Sequence, residues 1–123
     1  MIASIELTRD SVAAGGDCDA PHQRRVDLEL TSVAALQKML QGIADDYLPS
    51  VAGPASWIAF SRVPLSIVSN EWRSPKAVWQ IDDDVGALDV TDETLRLHFV
   101  YLGTTDPDVA FDVMLRLNSA IRR

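Results

Sequence analysis

The sequence predicts an α+β domain: a mostly antiparallel sheet of about five to six strands with two helices packed on one face. Three observations carry this. Short runs alternate apolar and polar residues with a period of two along much of the chain, while two longer stretches switch to spacings of three and four. The connections in the second half are also too short to hold crossover helices, so neighbouring strands there should run antiparallel. At 123 residues, 47% of them apolar and 24% charged, the chain has the usual size of one domain. Folding such a chain buries about two thirds of its unfolded surface, so residues 1–123 are expected to share a single core.

Taken in order, 2–8 (IASIELT) sets Ile5 and Leu7 against Ser4 and Glu6, and 25–30 (RVDLEL) sets Val26, Leu28 and Leu30 against Asp27 and Glu29. Each reads as a strand with one wet face. The intervening 9–24 segment has a Gly15-Gly16 pair, several acids and Pro21 but no period. It is expected to be a long, mobile loop. From Ser32 the period changes: Val33, Leu36, Leu40, Ile43 and Tyr47 form one stripe, Thr31 or Ser32 offers the capping oxygen, and Pro49 stops the helix. Gly42 weakens that helix by about 1 kcal/mol relative to Ala, which close packing on the sheet would justify.

WIAFSRV and PLSIVSN follow as two strand-like runs divided by Pro64. After the turn NEWRSPK come a strand AVWQID, a short strand at ALDV, and a strand TLRLHFVYL. In the last, Leu95, Leu97, Phe99 and Tyr101 share one face and Thr94, Arg96, His98 and Val100 the other. Asp106-Pro107 starts a final helix, with Asp106 as N-cap and Pro107 in the first position. Its core stripe should be Ala110, Met114, Leu117 and Ile121. Leu36, Leu40, Leu97, Phe99, Met114 and Leu117 are thus expected to be buried together.

Eleven basic against eighteen acidic residues leave a net charge of -7, which disfavours nucleic acid or an anionic membrane as direct ligand and favours a basic protein. Cys18 is the only cysteine and the N-terminus lacks a charged n-region followed by an apolar core; both point to the cytoplasm. The most apolar window, 57–68, is interrupted by Arg62 and Pro64 and is shorter than the roughly 20 residues a bilayer span needs. No membrane segment and no cofactor are expected, since the chain has no glycine-rich phosphate loop, no H-E-x-x-H, no paired C-x-x-C and no G-x-S-x-G.

Four features have chemistry to offer. Asp17, Cys18, Asp19 and His22 lie within six residues, but a zinc site ordinarily takes four ligands on ordered backbone, so no metal is assigned and the plain reading is a solvated or partner-contacting loop. His98 lies on the polar face of its strand, where a carboxylate such as Asp82 or Asp84 would orient it as a base; a hydrated surface histidine is the plain alternative. Trp57 and Trp79 fall on strand patterns and suit the core, whereas Trp72, between Glu71 and Arg73 in a turn, is a contact candidate. The strongest signal is the connector holding Asp82, Asp83, Asp84, Asp89, Asp92 and Glu93 with no basic residue, six of the chain's eighteen acids.

These observations lead to an expected function. The chain reads as a non-enzymatic acidic binding protein that blocks a basic partner, the job done by immunity proteins that neutralise a toxin such as a nuclease. The six connector acids are the expected contacts, with Asp17, Asp19 and Trp72 beside them. One alternative is a small hydrolase or isomerase with His98 in a cleft. Another is a structural module that pairs an uncovered strand edge or the Trp72 turn with a second copy as a homodimer.

Overall fold

A computed structural model describes residues 2–11, 23–30, 32–49, 55–73, 75–78, 88–103 and 105–121. They form strands β1 (Ile2–Arg9), β2 (Gln23–Leu30), β3 (Ser56–Ser61), β4 (Val63–Ser69), β5 (Lys76–Ala77), β6 (Val90–Thr91) and β7 (Thr94–Tyr101), with helices α1 (Val33–Tyr47) and α2 (Pro107–Ile121). The seven strands make one sheet in the order β2-β1-β7-β3-β4-β5, and β6 pairs with β7. Since β1 occupies one edge of β7 from Thr94 to Phe99, β6 at its start and β3 at its end share the other edge.

The mixed α and β content agrees with the sequence, and five of the six strand pairings among the described residues are antiparallel, but one is parallel, so the sheet is mixed, and it has more strands than expected. Its central pair, β1 and β7, runs parallel, Ile5 beside Leu95 and Leu7 beside Leu97. Alternation along a strand reports which face is wet and is blind to the direction of the neighbour. With nearly the whole domain lying between β1 and β7, the local turn signals that revealed the hairpins had no bearing on this pair.

The two helices lie on opposite faces, which corrects the expectation that both share one. Leu36, Leu40 and Tyr47 of α1 pack with Ile5, Leu7, Trp57, Ala59, Leu95, Leu97 and Phe99, whereas Ala110 of α2 packs with Ile58, Ile67 and Val78, flanked by Phe111, Met114 and Val100. Successive strand residues point to opposite sides, so Trp57 and Ala59 of β3 meet one helix and Ile58 the other. This explains why WIAF and LSIV do not alternate cleanly between apolar and polar and are buried almost throughout: β3 and β4 are covered on both sides. α1 is capped by the Ser32 Oγ, which accepts the Ala35 N–H at 3.1 Å, and α2 by Asp106, which accepts the Asp108 N–H at 2.9 Å. Both caps satisfy donors that the first helical turn leaves unpaired.

Other expectations shift. Leu36, Leu40, Leu97 and Phe99 are buried in one cluster, but Met114 belongs to the opposite cluster and Leu117 is 45% exposed. Asn118 is the buried residue on that turn, donating from Nδ2 to the carbonyls of Pro64 and Val78 at 2.9 Å each. Gly42 does not pack against the sheet: it is exposed, and a methyl group placed there would meet nothing within 4 Å. Of the expected AVWQID strand, Ala77 lies in β5 and Val78 is buried, while the rest falls in 79–87, outside the described residues. The expected 9–24 loop is narrower, as β1 runs to Arg9 and β2 starts at Gln23; its centre, 12–22, also lies outside the described residues.

Candidate functional site

Among the described residues α2 covers chiefly β3, β4 and the β5 side of its face, with Val100 at the end of β7 beside it. Lys76 of β5 stands 3.6 Å from Asp108 and 5.7 Å from the Phe111 ring centre, so the flank of α2 carrying those residues leans toward β5. Helical spacing then turns the opposite flank, with Val109, Val113 and Leu117, toward β7. Among the described residues no helix covers the half of the sheet formed by β2, β1 and β7 on this side, and polar side chains line it. Ser4 and Thr94 hydroxyls meet at 3.0 Å, Arg25 donates to the Ser4 hydroxyl at 3.0 Å, and Arg96 stands 3.5 Å from Glu6 and 3.8 Å from Asp89.

His98 is the centre of a chain of hydrogen bonds that could move a proton. Its Nδ1 lies 2.7 Å from Thr8 Oγ1 and its Nε2 lies 2.8 Å from Asp10 Oδ1, while Asp10 Oδ2 accepts the Tyr101 N–H at 2.9 Å. In the neutral ring an acceptor-only carboxylate takes the Nε2 hydrogen, leaving Nδ1 to accept from the Thr8 hydroxyl. His98 also lines a cavity of about 260 Å³ with Thr8, Phe60, Arg62 and Arg96. The carboxylate beside His98 is Asp10, which the sequence reading missed; Asp82 and Asp84 lie outside the described residues. Asp10 follows the last residue of β1, and only the parallel register, Arg9 beside Phe99, brings it to a histidine 88 positions away.

Burial pushes the Asp10 carboxyl up, but the Tyr101 N–H, the hydrogen bond to His98 and the attraction of that ring together outweigh it and hold the pKa below the ordinary 3.8. Folding therefore favours the charged form. The resulting stabilisation is complete above the unfolded value and is lost as pH falls through the lower folded one. Asp10→Asn should accordingly lose less stability than the wild type as pH drops below about 4. Urea denaturation at neutral and acid pH would show this, and identical acid dependence in the two proteins would mean that the carboxylate adds nothing.

The acidic hairpin is partly described. The Asp89 N–H donates to Ser61 Oγ and its carbonyl accepts the Arg96 N–H, both at 2.9 Å. Asp92 and Glu93 form the two-residue turn between β6 and β7, fully exposed, with φ of 52° and 61°. Left-handed backbone at both positions is the habit of Asn-Gly turns; a side chain there costs about 1–2 kcal/mol at most positions, somewhat less for Asp. The turn is nonetheless anchored, because the Glu93 carbonyl accepts the Ala3 N–H at 2.7 Å. Replacing Asp92-Glu93 with Asn-Gly should raise stability by about 1 kcal/mol, read as a higher melting temperature; a lower one would mean that the two acids support the turn.

Trp72 is half-buried against the α2-side core, and the Lys76 ammonium sits 4.3 Å from its ring centre. Trp57 is in the core, while Trp79, Asp17, Cys18, Asp19, His22, Asp82, Asp83 and Asp84 lie outside the described residues. No group of three or more metal-ligating side chains occurs among the described residues, and no described helix is long and apolar enough to cross a membrane. The chain matches no protein-family model, no curated protein and no solved structure.

Proposed function

We propose that this chain is an acidic binding protein that docks its carboxylate-rich hairpin on a basic protein partner and blocks it, as an immunity protein blocks a toxin. The observation that carries the reading is the turn at Asp92 and Glu93. Two exposed acids occupy backbone positions that suit Asn and Gly, and local strain of this kind persists where function asks for it. The net charge of -7 gives such a surface a field that speeds the approach of a cation-rich partner. The test is co-expression with the product of the neighbouring reading frame, followed by association kinetics over a salt series. A complex whose association slows steeply as salt rises is expected; a salt-independent rate, or no complex with any basic partner, would remove the proposal.

A second reading has an observation of its own. The Thr8–His98–Asp10 chain beside a cavity has the base-and-orienter arrangement of a small hydrolase or isomerase, with His98 as base. It predicts that His98→Ala abolishes biological activity, whereas the binding reading predicts that activity survives the substitution.

A further inference from the structure

β2 is the last strand on its side of the sheet, and among the described residues nothing pairs with its outer edge. An open edge of eight residues is a template for another strand. Beside it, on the α1 face, runs a groove of about 380 Å³ whose walls include Val26, Leu28, Met39, Ile43 and Gly42. Val26 and Leu28 are only half-buried and Met39 is 38% exposed, so this apolar surface is incompletely covered. Gly42 has no neighbour within 4 Å of a built Cβ. It therefore weakens α1 without any packing among the described residues to require it, and its bare backbone keeps the groove open.

The charges on β2 indicate what would close that edge. Charged side chains on an edge strand commonly discourage pairing, but here they are of both signs: Arg25 and Asp27, 3.7 Å apart within the chain, are both exposed on the face away from α1, with Gln23 and Glu29 flanking them. We propose that two copies of the chain pair their β2 strands antiparallel about a two-fold axis at Val26. In that register Arg25 of each copy lies opposite Asp27 of the other, and Gln23 opposite Glu29. On the α1 face Val26 meets its own counterpart and Arg24 meets Leu28. The same patch serves both copies, as a two-fold interface requires. The two grooves, apolar along Val26, Leu28, Met39 and Ile43 and edged by Arg24, Lys38 and Asp46, merge into one layer between the paired α1 helices, and the open spaces over Gly42 flank it. Shifting the strands so that Asp27 faces Asp27 would place like charges directly opposite, which is unfavourable. The mixed charges thus fit a second copy of the chain, and the Asp27 pair is the one unfavourable contact of the shifted register, which also sets Arg25 opposite Glu29.

Sedimentation equilibrium of the full chain over a range of concentrations tests this. The wild type should approach the mass of two chains. Arg25→Asp, which sets acid against acid at both cross-strand pairs, should weaken dimerisation at least tenfold, and Arg25→Asp with Asp27→Arg should restore it. Circular dichroism establishes that each variant is folded. Independently of any substitution, amide exchange at 23–29 in the wild type should slow as concentration rises. A wild-type monomer at all concentrations would overturn the proposal. So would a dimer indifferent to Arg25→Asp with unchanged exchange at 23–29, which would place the contact elsewhere, for example on the Val109, Val113 and Leu117 flank of α2.

Discussion

Truncating Phe99 to Ala is expected to cost about 3–5 kcal/mol. Phe99 is fully buried near the end of β7, flanked by β1 and β3, and its ring centre lies 6.0 Å from that of Tyr47 on α1. The substitution therefore opens a cavity where two strands and a helix meet, and neither strand can move in to fill it without breaking sheet pairing. Domains of this size are stable by about 5–15 kcal/mol, so the loss removes a large share of the total. Urea denaturation should show a much lower midpoint with an unchanged slope. A loss below about 1 kcal/mol would mean that the site is loosely packed or collapses freely.

The second large effect is on rate. Neutralising Asp82, Asp83 and Asp84 to Asn should slow association with the cationic partner by about tenfold or more at low salt and flatten its salt dependence, because exposed charges act over a screening length of about 8 Å at physiological salt. Stability should change little, since removing three neighbouring like charges relieves repulsion in the free chain. Stopped-flow mixing across a salt series measures both quantities. Unchanged association rates would mean that these acids serve only to keep the protein soluble. Asp92 and Glu93 sharpen the comparison: their Asn-Gly replacement should slow association while raising the melting temperature, so lost binding could not be blamed on lost folding.

Much of the local structure was legible. The strands β1, β2 and β7 were visible because each has one wet face, so Ile5, Leu7, Val26, Leu97 and Phe99 alternate with polar neighbours. Both helices announced themselves through period and through caps at Ser32 and Asp106. The site was less legible. His98 could be placed on a polar face, and Asp92 and Glu93 in a turn, but neither the Asp10 partner nor the left-handed backbone at the two acids could be read, because no residue type at those positions demands them.

Sequence alone determined where the elements lie, which face of the one-sided strands is wet, and the sign and crowding of the charge. These properties depend on neighbours within a turn or a strand pair, and their period is written directly in the chain. Tertiary structure decided the parallel pairing of β1 with β7, the separation of α1 and α2 to opposite faces, the turning of Leu117 to the surface, and the meeting of Thr8, Asp10 and His98. Each of these results from contacts between segments far apart in the chain. Competing arrangements bury the same apolar stripes to a similar extent, and the choice among them is made by how whole layers fit rather than by any local pattern.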